Sequence, residues 1–195
     1  MTVSKIICVT GGIGSGKSSV SALLQEEGYP VYNSDQRAKE LMRIYGPLYD
    51  LIVSYFGDNS YRDGILDSAF LAQKIFNDST AKKHLESIVH PAVRKDFENW
   101  QSQHGTGIIF KESALVFETN DSSCHYVVLV TAALEQRIKR VLLRNPSLDE
   151  QQVRARIQSQ LATDEVKHKA DYILKNEGSL EDLRNSVNYF LTKVI

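Results

Sequence analysis

Cysteine and proline are scarce in this chain, which has two cysteines and four prolines among 195 residues. Cys8 and Cys124 both lie in or beside apolar segments, where a buried thiol is more common than a disulfide or a metal ligand. We therefore expect two free thiols and a reducing compartment. Long apolar segments are also missing: none approaches the ~20 residues of a membrane span, and the segment after Lys5 is too short for a signal peptide. These absences predict a cytoplasmic protein without a membrane partner.

An excess of charge of one sign is missing too. The chain carries 23 basic and 24 acidic side chains, a net charge of −1, whereas a nucleic-acid or membrane-surface partner favours a strong basic excess. The guanine-recognition patterns N-K-x-D and T-K-x-D do not occur, which argues against a GTPase. No long apolar strand ends in Asp, which is the arrangement of motor-type ATPases. We expect no nucleic-acid partner and neither of these two enzyme classes.

A glycine-rich segment near the start of the chain carries the strongest positive signal. Residues 11–18, with the sequence GGIGSGKS, match G-x-x-x-x-G-K-[ST], the phosphate-binding P-loop. In that motif backbone N–H groups surround phosphate oxygens, Lys17 reaches the β- and γ-phosphates, and the Ser18 hydroxyl can hold Mg²⁺. An apolar run precedes it and helical spacing follows it, so strand, loop and helix come in the required order. We expect ATP to be bound by Gly12, Ile13, Gly14, Ser15, Gly16, Lys17, Ser18 and Ser19.

The order of the predicted elements indicates an α/β fold. Short apolar strands are predicted at Lys5–Thr10, Val31–Tyr32, Ile108–Phe110, Tyr126–Val130 and Tyr172–Leu174. Because helices separate them, we expect a five-stranded parallel sheet covered on both faces. The strand-poor block 36–104 is too long for one crossover, so it predicts a helical substrate-binding insertion, and the helical segment 134–169 predicts a lid. The nucleotide-binding core is then 1–35, 105–133 and 170–195.

Three local signals mark helix ends. His90-Pro91 is expected to separate two helices, since proline interrupts a helix. Ser147 through Glu150 and Ser179 through Asp182 have the spacing of capping boxes, and each predicts the start of a helix. Taken alone, His90 is interpreted as a structural residue at a helix junction rather than a catalytic base.

Asp35 directly follows the second predicted strand. Ligands bind at the carboxyl ends of strands in open parallel sheets, and we place this strand next to the one that carries the P-loop. A carboxylate there can accept a proton from an attacking hydroxyl or help to position Mg²⁺, as kinase chemistry requires. Asp35 also precedes a predicted helix, Gln36–Tyr45, and is equally suited to cap it. The spacing leaves both roles open.

A group of arginines lies in the predicted lid. Arg137, Arg140 and Arg144 fall at i, i+3 and i+7 of one helix and therefore share a face. Such a cluster can neutralise the charge of the transferring phosphoryl group and of the leaving ADP. Charged runs on helices are more often solvated faces, and only the nearby P-loop favours the functional interpretation.

With these residues assembled, the chain resembles the dephospho-coenzyme A kinase family over nearly its full length. Residues 9–18 match the family's opening P-loop, and Asp35 matches the final aspartate of its Asp-Ala-Asp motif. Residues 85–91, with the sequence LESIVHP, resemble its Leu-Glu-x-Ile-x-His-Pro segment. The flap and the closing motif resemble those of the family at Gln136-Arg137, Arg140, Arg144, Arg156-Ile157, Gln160, Ala170-Asp171, Asn176 and Gly178.

The resemblance implies a P-loop kinase that uses ATP and Mg²⁺ to phosphorylate the ribose 3′-hydroxyl of dephospho-coenzyme A, the last step of coenzyme A synthesis. It implies that Asp35 is the general base. Lys17 and Arg140 are the other expected catalytic residues, and Ser18 is the expected metal ligand. The further expected contacts are Arg144 and Asn176 for ATP, with Asn176 near the adenine, and Asp35, His90 and Glu118 for the substrate.

Two departures from the family pattern are visible. Asn33 replaces the first aspartate of Asp-Ala-Asp, so one potential metal partner loses its charge. Ser68 stands where the family often has arginine, which removes an expected contact to a substrate phosphate. Two other functions stay open beside the kinase of the resemblance: a nucleoside or nucleotide kinase, and a non-catalytic ATP-binding switch. We expect a monomer or a weak homo-oligomer.

Overall fold

The structure is a computed structural model of the chain, and it describes residues 4–76, 78–104, 106–160 and 163–195. The chain forms two compact units. The first, here called the sheet unit, consists of the chain up to Tyr32 together with His104–Ile195, and the second, the insertion, is Asn33–Gln103. In the part of the chain that the structure describes, no helix is both long and apolar enough to cross a membrane.

Seven strands and nine α-helices follow one another along the described residues. The strands are β1 (Lys5–Thr10), β2 (Val31–Asn33), β3 (Tyr61–Arg62), β4 (Ile65–Leu66), β5 (Ile108–Glu112), β6 (Tyr126–Thr131) and β7 (Tyr172–Lys175). The helices are α1 (Lys17–Glu26), α2 (Ser34–Leu41), α3 (Tyr49–Phe56), α4 (Ser68–Phe76), α5 (Ser79–Gln103), α6 (Leu134–Arg144), α7 (Glu150–Gln158), α8 (Thr163–Val166) and α9 (Leu180–Val194).

The sheet has five strands in the order β2-β5-β1-β6-β7. The pairs β1–β5, β1–β6 and β6–β7 are parallel, which confirms the predicted five-stranded parallel sheet. The sequence analysis placed β2 next to β1, the strand that carries the P-loop. This prediction is wrong, because β5 lies between β2 and β1. Strand order is a non-local property: the strand that returns from the insertion takes the place beside β1, and no local pattern reports this.

Burial of β1 on both faces explains why its sequence is an unbroken apolar run. Residues 6–9 are all at most 4% exposed, as expected of a central parallel strand. Helices α1 and α9 cover it on the side where Ile7 packs with Leu24 of α1, Phe190 of α9 and Phe110 of β5. The carboxyl end of β1, where the P-loop begins, is therefore fixed by the centre of the core.

Helix α5 runs for 25 residues and contains Pro91 in its interior, so the expected break at His90-Pro91 is wrong. An interior proline costs about 3 kcal/mol because it removes a backbone hydrogen bond. Apolar packing on both sides of the proline offsets this cost: Val89 before it, and Ala92 and Val93 after it, pack in one cluster of the insertion.

A two-stranded hairpin, β3–β4, lies in the block that the sequence analysis described as strand-poor. Its turn is Asp63-Gly64, with φ of 50° and 79°, the positive values that favour Asp-Gly in a tight hairpin. The Tyr61 hydroxyl of β3 donates to the carbonyl oxygen of Met42 at 2.8 Å. Burial and the neighbouring Tyr49 raise the pKa of Tyr61 to about 12.

The two predicted helix starts had different outcomes. Ser179 and Asp182 form a capping box at the start of α9, as predicted. Helix α7 begins later than expected, because its capping box is formed by Asp149 and Gln152 rather than by Ser147.

Cys8 and Cys124 form a disulfide, with their Cα atoms 5.5 Å apart. The prediction of two free thiols is wrong, and the inference of a reducing compartment loses its basis. The segment before β6 runs beside β1, because the His125 N–H donates to the carbonyl oxygen of Ile6 at 2.9 Å and the Ile6 N–H donates back to His125 Nδ1 at 2.9 Å. This alignment brings Cys124 to Cys8, a pairing between positions 116 residues apart that apolar local context does not reveal.

Candidate active site

The P-loop joins β1 to α1, and the backbone of Gly16 determines how it enters the helix. Gly16 has φ of 102° and is the N-cap of α1. A side chain would be strained at this φ, and its Cβ would collide with the Asn176 amide. No side chain among the described residues caps this helix start. The Ser19 N–H donates to the carbonyl oxygen of Gly16 at 3.0 Å, and the dipole at this helix start favours an anion.

Lys17 lies at the start of α1, and its side chain folds back over the loop. Its Nζ donates to the carbonyl oxygen of Gly11 at 2.8 Å, so the cation is held on the loop itself. Ser18 and Ser19 follow in the first turn and are exposed. The hydroxyl of Ser15 is buried in the loop and has no hydrogen-bond partner among the described residues. The structure thus places the predicted P-loop residues around one concave segment of backbone.

Asn176 and Arg140 meet the P-loop at the carbonyl oxygen of Ser15. Asn176 Nδ2 donates to it at 2.9 Å, and Arg140 Nη1 at 3.4 Å. Arg140 Nη2 also donates to the backbone oxygen of Asn176 at 3.0 Å. Asn176 follows β7 and is only 6% exposed. Two residues that the sequence analysis assigned to the phosphate and adenine sites are therefore brought together at the loop.

Arg137 and Gln160 contact the loop at a different residue, Ile13. Arg137 Nε donates to the carbonyl oxygen of Ile13 at 2.9 Å, and the Ile13 N–H donates to Gln160 Oε1 at 2.8 Å. Arg137 is only 9% exposed, and this burial lowers the pKa of its guanidinium. Arg137 and Arg140 thus both lie at the loop, where they donate to backbone oxygens, and their expected contact with phosphate stays a prediction.

The other lid arginines are not gathered at the loop. Arg144 ends α6 and is exposed. Arg154 bonds to Glu150 at 2.8 Å and to Glu135 at 3.0 Å, and these hydrogen bonds raise its pKa. The solvated-face interpretation, which the sequence analysis gave as the common case, therefore describes these two residues.

A small cleft opens beside the P-loop, within the sheet unit. Thr10, Gly11 and Gly12 form one wall, Phe117 and Glu118 line another, and Gln160 reaches it from the lid. Glu118 itself is exposed. The predicted substrate residue Glu118 is thus on the same cleft as the start of the P-loop.

Glu112 is a buried carboxylate that the sequence analysis missed. It ends β5, is only 4% exposed, and pairs in register with Val9 of β1. A buried carboxylate therefore lies at the carboxyl end of the strand next to the P-loop strand, where ligands bind in such sheets. The signal was present, since the apolar run Ile108–Phe110 is followed within two residues by Glu112, but the search for an aspartate overlooked it.

Asp35 lies in the insertion, in the first turn of α2, and is exposed. It does not cap the helix. Asn33 is the N-cap, and its Oδ1 accepts from the Gln36 N–H at 2.9 Å. The capping alternative for Asp35 is therefore wrong, and the departure at Asn33 has a structural role in this chain.

His90 lies within α5 of the insertion and is half-buried. It does not lie at a helix junction, because α5 continues through Pro91. Its expected contact with substrate stays a prediction.

Three comparisons with known proteins bear on this site. A family model described as dephospho-CoA kinase matches residues 5–182. A dephospho-CoA kinase of Salinibacter ruber is 38% identical over 181 residues, covering 90% of each chain. A crystal structure from Thermus thermophilus aligns with a TM-score of 0.86 at 34% identity and covers 100% of both chains.

A solved dephospho-CoA kinase from Campylobacter jejuni has the same fold. It aligns with a TM-score of 0.62 at 23% identity and covers 97% of each chain. The sheet order, the P-loop after β1 and the helical insertion before β5 are thus accompanied by similarity along nearly the whole sequence.

Proposed function

Because the chain belongs to the dephospho-CoA kinase family, we propose how its residues share the work of that reaction. The chain is an ATP-dependent kinase that phosphorylates the ribose 3′-hydroxyl of dephospho-coenzyme A, the final step of coenzyme A biosynthesis. The observation that carries this function is the P-loop between β1 and α1, with Lys17 held on it and Arg140 and Asn176 bonded to its backbone.

The P-loop binds the phosphates of ATP. Residues 12–18 and the first turn of α1 surround phosphate oxygens with backbone N–H groups other than that of Ile13, which donates to Gln160. Ser19 and the exposed Arg144 add contacts at the edge of the site. Lys17 moves from the Gly11 carbonyl to the β- and γ-phosphates when ATP binds, because a triphosphate is the stronger partner for a cation. Asn176 lies behind the loop, where the adenine is expected.

The residues present fit Mg²⁺, a cation that takes oxygen ligands and usually keeps several waters. The exposed Ser18 hydroxyl in the first turn of α1 supplies one ligand. The buried Glu112 carboxylate at the end of β5 supplies the negative charge that Mg²⁺ sites require. When bound, Mg²⁺ would supply positive charge against the negative charge that develops during transfer.

Asp35 is the general base. It takes the proton of the ribose 3′-hydroxyl as that oxygen attacks the γ-phosphorus, and its exposure in the first turn of α2 leaves the carboxylate accessible. The insertion 36–104 binds dephospho-coenzyme A, with His90 on α5 and Glu118 on the cleft as further contacts. Arg140 stabilises the charge of the transferring group, and the segment 134–169 closes as a lid to exclude water.

Two competing functions are separated by one experiment. A coupled assay of ADP release is run with ATP alone, with dephospho-coenzyme A, and with a panel of nucleosides and nucleoside monophosphates. We expect release only with dephospho-coenzyme A, and ³¹P NMR should show a new 3′-phosphomonoester. Turnover of a nucleoside instead identifies a nucleoside kinase, and ATP binding without any acceptor-dependent release identifies a non-catalytic switch.

The partners are ATP and dephospho-coenzyme A, and the location is the cytoplasm, where both are available. We further propose that the protein acts as a monomer or a weak homo-oligomer. Sedimentation at micromolar concentration checks the last point, and fractionation of the host cell checks the location.

A further inference from the structure

Ile13 lies in the P-loop, and residues of the lid contact its side chain, its N–H and its carbonyl oxygen. Its side chain packs against the buried cluster of Ile138, Val141 and Val153, which joins α6 to α7. Its N–H donates to Gln160 Oε1 at 2.8 Å, and its carbonyl oxygen accepts from Arg137 at 2.9 Å. One residue of the loop is therefore fixed in position and in peptide orientation by groups of the lid.

Gly12 provides independent support for this arrangement. The P-loop pattern accepts any residue at this position, yet a Cβ on Gly12 would collide with the Arg137 guanidinium and approach Gln160 Oε1 to 3.2 Å. The Arg137 and Gln160 side chains thus lie directly against Gly12. Loop and lid are complementary in shape as well as in hydrogen bonding.

Gln160 is the more informative of the two side chains, because it is neutral and lies outside the regular helices. It follows the end of α7 at Gln158 and is half-buried. Its side-chain oxygen accepts the N–H of Ile13, which lies between Gly12 and Gly14 in the loop. A peptide unit that rotated here would carry the N–H groups of its neighbours out of position.

We propose that Gln160 is a positioning residue for phosphoryl transfer: by accepting the Ile13 N–H it fixes the orientation of the Gly12–Gly14 peptides and so pre-organises the phosphate-binding N–H groups. In this role it acts through the peptides of the loop and not by contact with the reacting atoms. The inference rests on the proposed function, since it assumes that this loop holds the phosphates of ATP. Pre-organised donors contribute most in the transition state, where charge on the transferring group develops.

Gln160→Met tests the proposal, because methionine has nearly the same length and offers no comparable acceptor. We expect kcat to fall about tenfold to a hundredfold, since small misplacements at a reacting centre have effects of this size. Gln158→Met is the matched control, an exposed glutamine two residues earlier on the same segment, and should retain the parental kcat. Gln160→Glu keeps an acceptor oxygen and should recover kcat, while repulsion between its charge and ATP should appear in the KM for ATP.

Hydrogen exchange of the Ile13 amide gives a second readout that does not depend on turnover. Exchange should be slow in the parent and in Gln160→Glu and at least tenfold faster in Gln160→Met, with melting temperatures close to that of the control. Unchanged Ile13 exchange in Gln160→Met, or a kcat equal to the parent's, overturns the proposal. Tighter ATP binding with higher kcat also overturns it, because Gln160 would then compete with the nucleotide for this N–H.

Failure of the proposed function gives a different result. The parental protein would then not phosphorylate dephospho-coenzyme A at all, whereas the effect of Gln160 would still be measured in Ile13 exchange and in the affinity for ATP.

Discussion

The sheet unit and the insertion hold their functional polar side chains in different ways. In the sheet unit, Arg137 and Asn176 are at most 9% exposed and donate to carbonyl oxygens of the P-loop. In the insertion, Asp35 is exposed, and the side chain of Arg37, which bonds to Asp96 at 2.6 Å, is 40% exposed. From this comparison we expect a phosphate site that is pre-organised before ATP arrives, and an insertion whose groups adjust to the substrate proposed for it.

Lys17→Ala should have the largest effect. It removes the cation that the P-loop holds for the β- and γ-phosphates, and electrostatic groups of this kind account for a large part of transfer rates. We expect a loss of about 10³-fold or more in kcat/KM and an unchanged melting temperature. Steady-state kinetics and thermal melting check both points. Near-normal turnover would show that this loop is not the catalytic phosphate site.

Asp35→Asn comes next and tests the insertion's side of the comparison. An Asn side chain does not accept a proton at neutral pH, so we expect a loss of about 10²–10⁴-fold in kcat, the usual contribution of a general base. Asp50→Asn is a matched control, because Asp50 is an exposed aspartate in the first turn of α3. Each change removes a favourable charge at a helix start and should lower the free energy of unfolding by about 0.3–1 kcal/mol. Equal turnover in the two variants would contradict the base assignment.

Loss of the Cys8–Cys124 disulfide should affect stability rather than turnover. Bonds of this kind stabilise small domains by about 2–5 kcal/mol, mainly by restricting the unfolded chain. Parent and Cys124→Ser are unfolded in urea with and without a reductant. The reductant should destabilise the parent alone, and kcat of the reduced parent should change little. A parent that titrates as two free thiols and melts identically in both buffers would contradict the disulfide.

Arg140→Ala tests whether Arg140, in the sheet unit, acts in ATP binding or in the transfer step. Its guanidinium bonds to Ser15 and Asn176 at the loop, and charge on the transferring group grows in the transition state. We expect kcat to fall about tenfold to a hundredfold with little change in the KM for ATP. Lys139→Ala is the control, an exposed cation at the adjacent position of α6. A rise in the KM for ATP alone would make Arg140 a ground-state contact.

Asp96→Asn should have the smallest effect. It weakens the pairing of two partly exposed side chains, Arg37 and Asp96, and pairs of this kind contribute about 0.2–1 kcal/mol. Urea unfolding should show a loss within this range, with kcat unchanged. Glu98→Gln on the same helix breaks a more exposed pair with Lys95 and should cost still less. A large loss of activity in Asp96→Asn would mean that the insertion, too, depends on a rigid polar arrangement.

Local sequence patterns predicted what local physics determines. The bounds of β1 agree residue for residue with the expectation, because an unbroken apolar run between Lys5 and Thr10 suits only a central strand. The P-loop and the helix cap at Ser179 were also predicted correctly, because each depends on a few consecutive residues. The Asp63-Gly64 turn also has the residue types of a tight hairpin. The hairpin was missed because the residues around it were predicted to be helical.

The errors have non-local causes. Pro91 remains inside a helix because apolar packing outweighs the local cost of proline. The position of β5 between β2 and β1, and the pairing of Cys8 with Cys124, depend on residues about a hundred positions apart. Capping by Asn33 instead of Asp35 required the hydrogen bond to be seen, since both residue types cap equally well.

The strand order also has a consequence for synthesis on the ribosome. β1 is central, and both of its neighbours, β5 and β6, follow the insertion in the chain. At about 5–20 residues per second, the roughly 100 residues between β1 and β5 take some 5–20 s to translate. By the end of that interval the insertion is complete, whereas the apolar run at residues 6–9 still has no partner strand. We expect this run to be the segment that chaperones bind first on the nascent chain.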